Sequence, residues 1–345
     1  MANIQDVAKH AGVSISTVSR VLNGTARVNA EVAARVRAAV EELHYQPSHA
    51  ARTLQTNRSQ IIGLLITDIQ NPFFTTLIRG VEDVAQRNGY SVILCNSDED
   101  ASKERQYITV LCAERVAGAI IVPTGERQRD LKLFQEHNIP IVAVDRRIAG
   151  RETDAVLVDN VGGARKAVAH LLSNGCRRIA MIAGPLATTT GRERLEGYRQ
   201  ALREFGIEHD VQLERYGSFK EESGWQLANE LLDVEPAIDG LFVGNNLMTL
   251  GALEALYVRH LRIPEDIAVV GFDEMPWAAL SSISLTTVTQ PVYELGSTAA
   301  LRLFQRLQNP DVLTRQEIVL APTLCIRGSS RARSQLLARD SLTEA

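Results

Sequence analysis

The sequence contains no run of about 18 apolar residues, which excludes a membrane-spanning helix. Its first residues, Met-Ala-Asn-Ile-Gln-Asp, lack the basic and apolar regions of a secretory signal, so a cytoplasmic protein is expected. Cysteine is sparse: Cys95, Cys112, Cys176 and Cys325 are widely spaced with no Cys-x-x-Cys pair, and are expected to be reduced, mostly buried thiols. The short motifs of catalysis are missing as well. There is no Gly-x-Gly-x-x-Gly after a strand, no Gly-Lys-Ser/Thr phosphate loop, no His-Glu-x-x-His and no Gly-x-Ser-x-Gly elbow. Asp98-Glu99-Asp100 begins like a calcium loop, but Lys103 stands where glycine is needed and Thr109 where the bidentate glutamate belongs. None of the seven histidines falls in a plausible catalytic pair. No enzyme activity, metal or cofactor is therefore expected.

What is present is an ordinary globular balance, with 45% hydrophobic and 23% charged residues in a chain of 345. At about 100–200 residues per domain, this length implies two or three folding units. The net charge of -4 hides an asymmetry. Residues 1–58 carry seven basic and four acidic side chains, net +3, leaving 30 basic and 37 acidic groups, net -7, for residues 59–345. That division suggests a small polyanion-binding head on an acidic body.

The head shows three short amphipathic helices. Asn3 can cap the first, with Asp6 near the positive end of its dipole and Ile4, Val7, Ala8 and Ala11 on one face. Gly12 ends it, and Ser14 can cap a second helix whose Val18, Val21 and Leu22 face the first. Asn29 can cap a third, carrying Val32, Val36, Val40 and Leu43. Two short helices joined by a tight glycine-containing turn form a helix-turn-helix. The second helix offers Ile15, Ser16 and Thr17 in its first turn, with Ser19 and Arg20 one turn on. Arg20 can fork onto guanine O6 and N7, Ser16 can bond a base or phosphate, and Ile15 can meet a thymine methyl.

These residues carry a resemblance. Asp6-Val7-Ala8, Ala11-Gly12-Val13-Ser14 and Thr17-Val18-Ser19-Arg20-Val21-Leu22-Asn23 are similar to the headpiece of the lactose-repressor (LacI/GalR) family. The segment Pro47-Ser48-His49-Ala50-Ala51-Arg52-Thr53-Leu54 is, on physical grounds, a helix too short to be stable alone. The resemblance implies that it is the hinge helix, folding against a dimer partner on operator DNA. Leu54 then lies where the family wedges a leucine into the minor groove. The implied DNA contacts are Ser14, Ile15, Ser16, Thr17, Ser19, Arg20, Asn23, Asn29, His49, Ala51 and Leu54.

Beyond Ser59, short apolar runs (Ile61–Thr67, Ser91–Cys95, Ala119–Val122, Ile141–Val144, Ala155–Val158, Ile179–Ile182, Gly240–Val243, Ile267–Gly271, Leu285–Thr289) alternate with helical stretches. Continuous apolar strands between amphipathic helices predict buried parallel sheets, here as two doubly wound α/β lobes. The expected fold is thus α/β, a three-helix headpiece and hinge helix followed by two such lobes. Ligands of these folds lie at the carboxyl ends of strands. There stand Asn71, Phe73, Phe74, Asp145, Arg146, Arg194, Phe219, Asn245, Asp273 and Gln290. Carboxylates, arginines, carboxamides and aromatic faces together suit a small neutral polyol, whose hydroxyls both donate and accept. A strongly anionic ligand would favour arginines and helix N-termini without two carboxylates facing it.

Residues 60–328 resemble the periplasmic type I sugar-binding fold, and those ten residues match the sugar-contacting pattern of ribose-binding proteins. Purine-type members of the family differ, with an aromatic where this chain has Arg146. Asn246 departs from the family, which usually has Asp there; it borders the site, leaving the choice among ribose, another pentose or a related hexose open. The resemblance implies a DNA-binding transcriptional regulator, expected to be a repressor whose operator affinity a sugar controls, ribose being the best candidate. Its expected partners are double-stranded operator DNA, the sugar and a second copy of the chain. The expected divisions are 1–46 headpiece, 47–58 hinge, 59–328 effector and dimerisation domain (one lobe 59–159 and 291–320, the other 160–290 and 321–328), and 329–345 a polar tail. That tail lacks a sustained heptad, which favours a dimer over a tetramer. Two other readings of the same residues fit less well. A sugar-transport component fits poorly with the headpiece and the missing signal. A glycoside hydrolase using Asp145 and Asp273 lacks an evident acid or water-activating partner.

Overall fold

The computed structural model describes residues 2–23, 28–45, 59–125, 131–148, 153–280, 282–309 and 314–331. Contacts divide the chain into two units, Met1–Ser59 and Gln60–Ala345. In the first, the Asn3 side chain accepts from the N–H groups of Gln5 and Asp6, and Asp6 accepts from the Asn3 N–H. This reciprocal cap opens α1 (Ile4–Ala11), which Gly12 ends in the left-handed conformation at φ 64. The Ser14 hydroxyl accepts from Thr17 N–H at the start of α2 (Ile15–Asn23), and Asn29 accepts from Glu31 N–H at the start of α3 (Ala30–Glu42). Val7, Ala8, Ala11, Val18, Val36 and Ala39 fill the small core between them. Ala39 lies on the same face of α3 as Val36 and joins the apolar set expected there.

The second unit begins with β1 (Ile61–Ile66), α4 (Pro72–Arg87), β2 (Ser91–Asn96), α5 (Ala101–Ala113), β3 (Gly118–Ile121), α6 (Lys132–Glu136), β4 (Ile141–Val144) and β5 (Asp154–Val158). It continues with α7 (Asn160–Ser173), β6 (Ile179–Ala183), α8 (Thr189–Glu204), β7 (Glu214–Tyr216), α9 (Glu221–Leu232), β8 (Gly240–Val243), α10 (Asn246–Val258), β9 (Ala268–Phe272) and β10 (Thr286–Thr289). Last come α11 (Val292–Gln308), β11 (Glu317–Leu320) and β12 (Thr323–Cys325). One sheet has the order β11-β5-β4-β3-β1-β2 and is parallel throughout. The other has the order β12-β10-β9-β8-β6-β7 and is parallel except for the antiparallel pair β10–β12. The chain crosses between the lobes three times, near 158–160, 289–292 and 320–323.

Each sheet is covered on both faces by helices, and each face has its own apolar core. Helices α4 and α11 pack over the first sheet with their backbones in contact. A Cβ on Gly80 would lie 2.3 Å from the Tyr293 carbonyl oxygen, and one on Gly296 2.2 Å from that of Leu77. The central strands match the apolar runs; β7, β11 and β12 do not. They are edge or near-terminal strands with exposed or half-buried positions, so they never read as continuous apolar segments. The polar tail also needs correction at its start. Ser329 and Ser330 are buried in the second lobe, where Ser329 donates to Val269 O and Ser330 meets Thr286 and His170. Residues 47–58 and the tail from 332 lie outside the described residues. Gly80→Ala is expected to cost about 1–3 kcal/mol by forcing α4 and α11 apart; an unchanged thermal unfolding midpoint would contradict that packing.

Candidate functional site

In the headpiece the first turn of α2 faces outward. Ile15 is 44% exposed, and Ser16 and Arg20 are also exposed. Ser14 Oγ lies 2.8 Å from both Ser16 Oγ and Thr17 Oγ1, so the three hydroxyls form a linked donor–acceptor set. Thr17 and Ser19 are half-buried, and Asn29 is exposed with its side-chain oxygen engaged as the α3 cap. Asn23 closes α2 but its side chain lies outside the described residues, as do His49, Ala51 and Leu54.

In the body, all ten residues expected to meet a ligand line one cleft that opens to solvent. They reach it from strand ends on both lobes. Asn71 caps α4 after β1, which turns Phe73 and Phe74 inward with their rings edge to face at 5.0 Å. Asp145 and Arg146 follow β4, Asn245 caps α10 after β8, Asp273 follows β9 and Gln290 follows β10. Arg194 enters from the first turns of α8, donating to Asn160 Oδ1 and Gly244 O and lying 3.6 Å from Asp273 Oδ2. Gln290 donates to Asp273 Oδ1. Phe219 reaches the cleft beside Gly184, whose missing side chain leaves the room: a Cβ there would sit 2.1 Å from the ring.

The backbone is unusual at the same places. Asp145, Phe219 and Asp273 hold φ values of 67, 63 and 74, and Glu99 one of 60. Left-handed non-glycine residues are uncommon and collect where a fold aims side chains at a ligand.

Four lining residues escaped the sequence reading: Asp68, Glu99, Thr190 and Lys220. Glu99 grips Arg146 with two hydrogen bonds of 2.6 and 2.7 Å, and Lys220 pairs with Asp68 at 2.5 Å across the lobes. The rule of searching after each strand would have found Glu99, three residues beyond β2; its resemblance to a calcium loop drew attention elsewhere. In the structure Asp98 pairs with Lys103 and Asp100 caps α5, so the three acidic neighbours have separate tasks. Among the described residues, Arg146 Nε and Gln290 Oε1 are buried in the cleft with no hydrogen-bond partner.

A two-lobed sensor domain carrying such a cleft, joined to a helix-turn-helix head, is the architecture of a ligand-responsive DNA-binding regulator. Residues 3–48 match the profile of bacterial regulatory proteins of the lacI family, and residues 59–322 that of the periplasmic binding proteins and sugar binding domain of the LacI family. The chain belongs to the LacI family of transcriptional regulators. It is 40% identical over 319 residues to the ribose operon repressor of Halalkalibacterium halodurans, covering 92% of this chain and 94% of that protein. The lac repressor dimer bound to operator and the anti-inducer ONPF superposes with a TM-score of 0.84 at 29% identity, covering 96% and 99% of the two chains. A LacI-family regulator from Enterococcus faecium with bound ribose gives 0.71 at 32% identity, covering 79% of this chain and 99% of that one.

The electrostatics of the cleft are held in tension. Burial raises the Asp145 carboxyl from 3.8 to about 6, against the opposing pull of Arg146 and Arg194. Burial raises Asp273 in the same direction, opposed by Arg194 and the Gln290 hydrogen bond. For Arg146 burial works against the charge, yet Glu99 outweighs it and the guanidinium is held more firmly protonated. A carboxyl with a raised pKa binds more protons folded than unfolded, so its contribution to stability falls as pH rises. For Asp145 the cost grows from pH about 4 and is complete above about 6, at roughly 3 kcal/mol. Asp145→Asn is therefore expected to raise the unfolding midpoint at pH 7.5, with the gain fading toward pH 4. A gain of equal size at both pH values would show that the carboxylate bears no such cost.

Proposed function

We propose that this regulator is a repressor that binds a near-palindromic operator as a homodimer, and that ribose, or failing that a related pentose or hexose, enters the cleft and releases it from DNA. One observation carries the choice of a neutral sugar: Glu99 occupies both terminal nitrogens of Arg146. Glu99 takes one hydrogen on each terminal nitrogen and the Pro123 carbonyl a second on Nη1, so the buried charge is already matched and Nε–H stands beside the free acceptor Gln290 Oε1. Asp145 and Asp273 add acceptors, and three phenylalanine rings cover an apolar face. A phosphorylated ligand would meet two buried carboxylates and an arginine whose charge Glu99 already neutralises. The ribose operon repressors among the relatives agree with ribose, and as a member of a family of DNA-binding regulators the chain is read as acting by binding rather than by turnover, in the cytoplasm.

In this reading Arg20, Ser16 and Ile15 read base edges while Ser14, Thr17 and Ser19 position the helix. The coupling is reciprocal: a sugar that favours one lobe arrangement alters operator affinity, and operator alters sugar affinity by the same factor, typically about 5–150-fold. The test is a thermal-shift screen against a sugar panel, paired with operator binding at several salt concentrations. Ribose is expected to raise the melting midpoint and weaken operator binding; a chain unmoved by every sugar would reject the sensor. Arg20→Ala should lose about 5- to 100-fold in preference for operator over random DNA while still binding sugar. Asp273→Ala should lose the sugar-induced change in operator binding; an unaltered response at the same sugar concentration would remove Asp273 from the site.

A further inference from the structure

Asn71 and Asn246 form a reciprocal carboxamide pair across the two lobes. Asn71 Nδ2 donates to Asn246 Oδ1 at 3.0 Å, and Asn246 Nδ2 donates to Asn71 Oδ1 at 2.8 Å. Both residues are buried, Asn246 with 0% exposure. The orientation of each amide is fixed by a backbone N–H, which can only donate. Phe73 N–H donates to Asn71 Oδ1 at 3.0 Å, and Leu247 N–H to Asn246 Oδ1 at 2.8 Å. Neither side chain can flip without setting two donors face to face.

The consequence concerns what Asn71 offers a ligand. Its oxygen has two lone pairs, and Phe73 and Asn246 take both. Its nitrogen has two hydrogens, and Asn246 takes one. What remains for the cleft is a single N–H donor. Asn71 stands after β1 of the first lobe and Asn246 opens α10 of the second, so the pair bridges the two lobes.

We infer that Asn246 is a positioning residue for sugar recognition: on lobe closure it commits Asn71 to act as a donor only, toward one hydroxyl oxygen of the ligand. This rests on the sugar-sensor reading above. Selectivity follows from the commitment. A site group that can only donate discriminates against an analogue lacking the matching oxygen, because a buried N–H is then left unpaired. In the open state Asn71 regains a free acceptor position and loses that selectivity.

The test measures sugar affinity by calorimetry for the full chain and for the variants Asn246→Asp, Asn246→Ser, Asn71→Ala and the double variant Asn71→Ala with Asn246→Ser. Asn246→Asp is isosteric and keeps an acceptor for Leu247, but cannot donate to Asn71 Oδ1. Ribose affinity is expected to fall about 10-fold or more in both Asn246 variants. The double variant is expected to bind no more weakly than Asn71→Ala alone, since Asn246 acts through Asn71. In a series of monodeoxyriboses, the one analogue most penalised by the wild type should be less penalised by Asn246→Asp. Melting midpoints without sugar check that the variants fold, and the serine variant stands in if the aspartate one does not. Wild-type affinity in the Asn246 variants, or losses that simply add in the double variant, would overturn the assignment. A wild-type chain that binds no sugar at all would instead sink the sensor reading, and this inference with it.

Discussion

The lobes of the body depend on one constraint: polar side chains buried where they face each other must find partners across the gap. Each lobe has its own apolar cores on both faces of its sheet, so neither needs the other to bury hydrophobic surface. Among the described residues, the links between them include three crossings of the chain, the Arg146 guanidinium over the Phe219 ring and polar bridges from Asp68 to Lys220, Asn71 to Asn246, Arg147 to Glu193 and Arg147 N–H to Thr189 Oγ1. Bridges of this kind exchange protein partners for water at little net free energy. The closed arrangement is therefore well defined in geometry and weakly held in energy. A ligand adding a few hydrogen bonds is enough to bias it.

The same economy explains the strain and charge in the cleft. Asp145 and Asp273 are buried carboxyls with raised pKa values on left-handed backbone, costs that a protein selected for stability alone would shed. Arg146 would be a further cost if Glu99 did not hold it. The pairing cancels a buried charge and fixes the guanidinium in the cleft by both of its terminal nitrogens.

Much of this was legible in the residues because the relevant patterns are local. Capping residues, the Gly12 turn and the apolar face of α1 mark the headpiece, and the central strands announce themselves as apolar runs. Most of the ten cleft residues follow from a rule about strand ends; Arg194 sits inside α8 and Phe219 follows β7, which has no apolar run. What was not legible depends on long-range contact. Asp68 and Lys220 are ordinary surface charges until the lobes bring them within 2.5 Å. Glu99 sits among acidic neighbours and becomes a clamp only because β2 and β4 belong to one sheet that aligns their ends. Asn246 read as a departure bordering the site; its pairing with Asn71, 175 positions away, has no sequence signal. The edge strands β7, β11 and β12 lack an apolar run and carry exposed or half-buried positions.

The orphaned atoms of the cleft set the scale of its response. Arg146 Nε belongs to the end of β4 in one lobe, and Gln290 Oε1 follows β10 in the other. A ligand touching both, together with the Asn71 donor, is held by groups that converge only when the lobes are closed. Its binding energy is then differential between open and closed states, which is the condition for shifting a population. Two or three hydrogen bonds at about 0.5–1.5 kcal/mol each give a bias of about 1–4 kcal/mol. That matches the coupling of about 1–3 kcal/mol usual between two sites on one protein. A ligand satisfying one lobe alone would bind without shifting the equilibrium, however tightly it held. The signal therefore comes from the ligand's span, and a small ring bearing hydroxyls on several edges has that span where a compact anion does not.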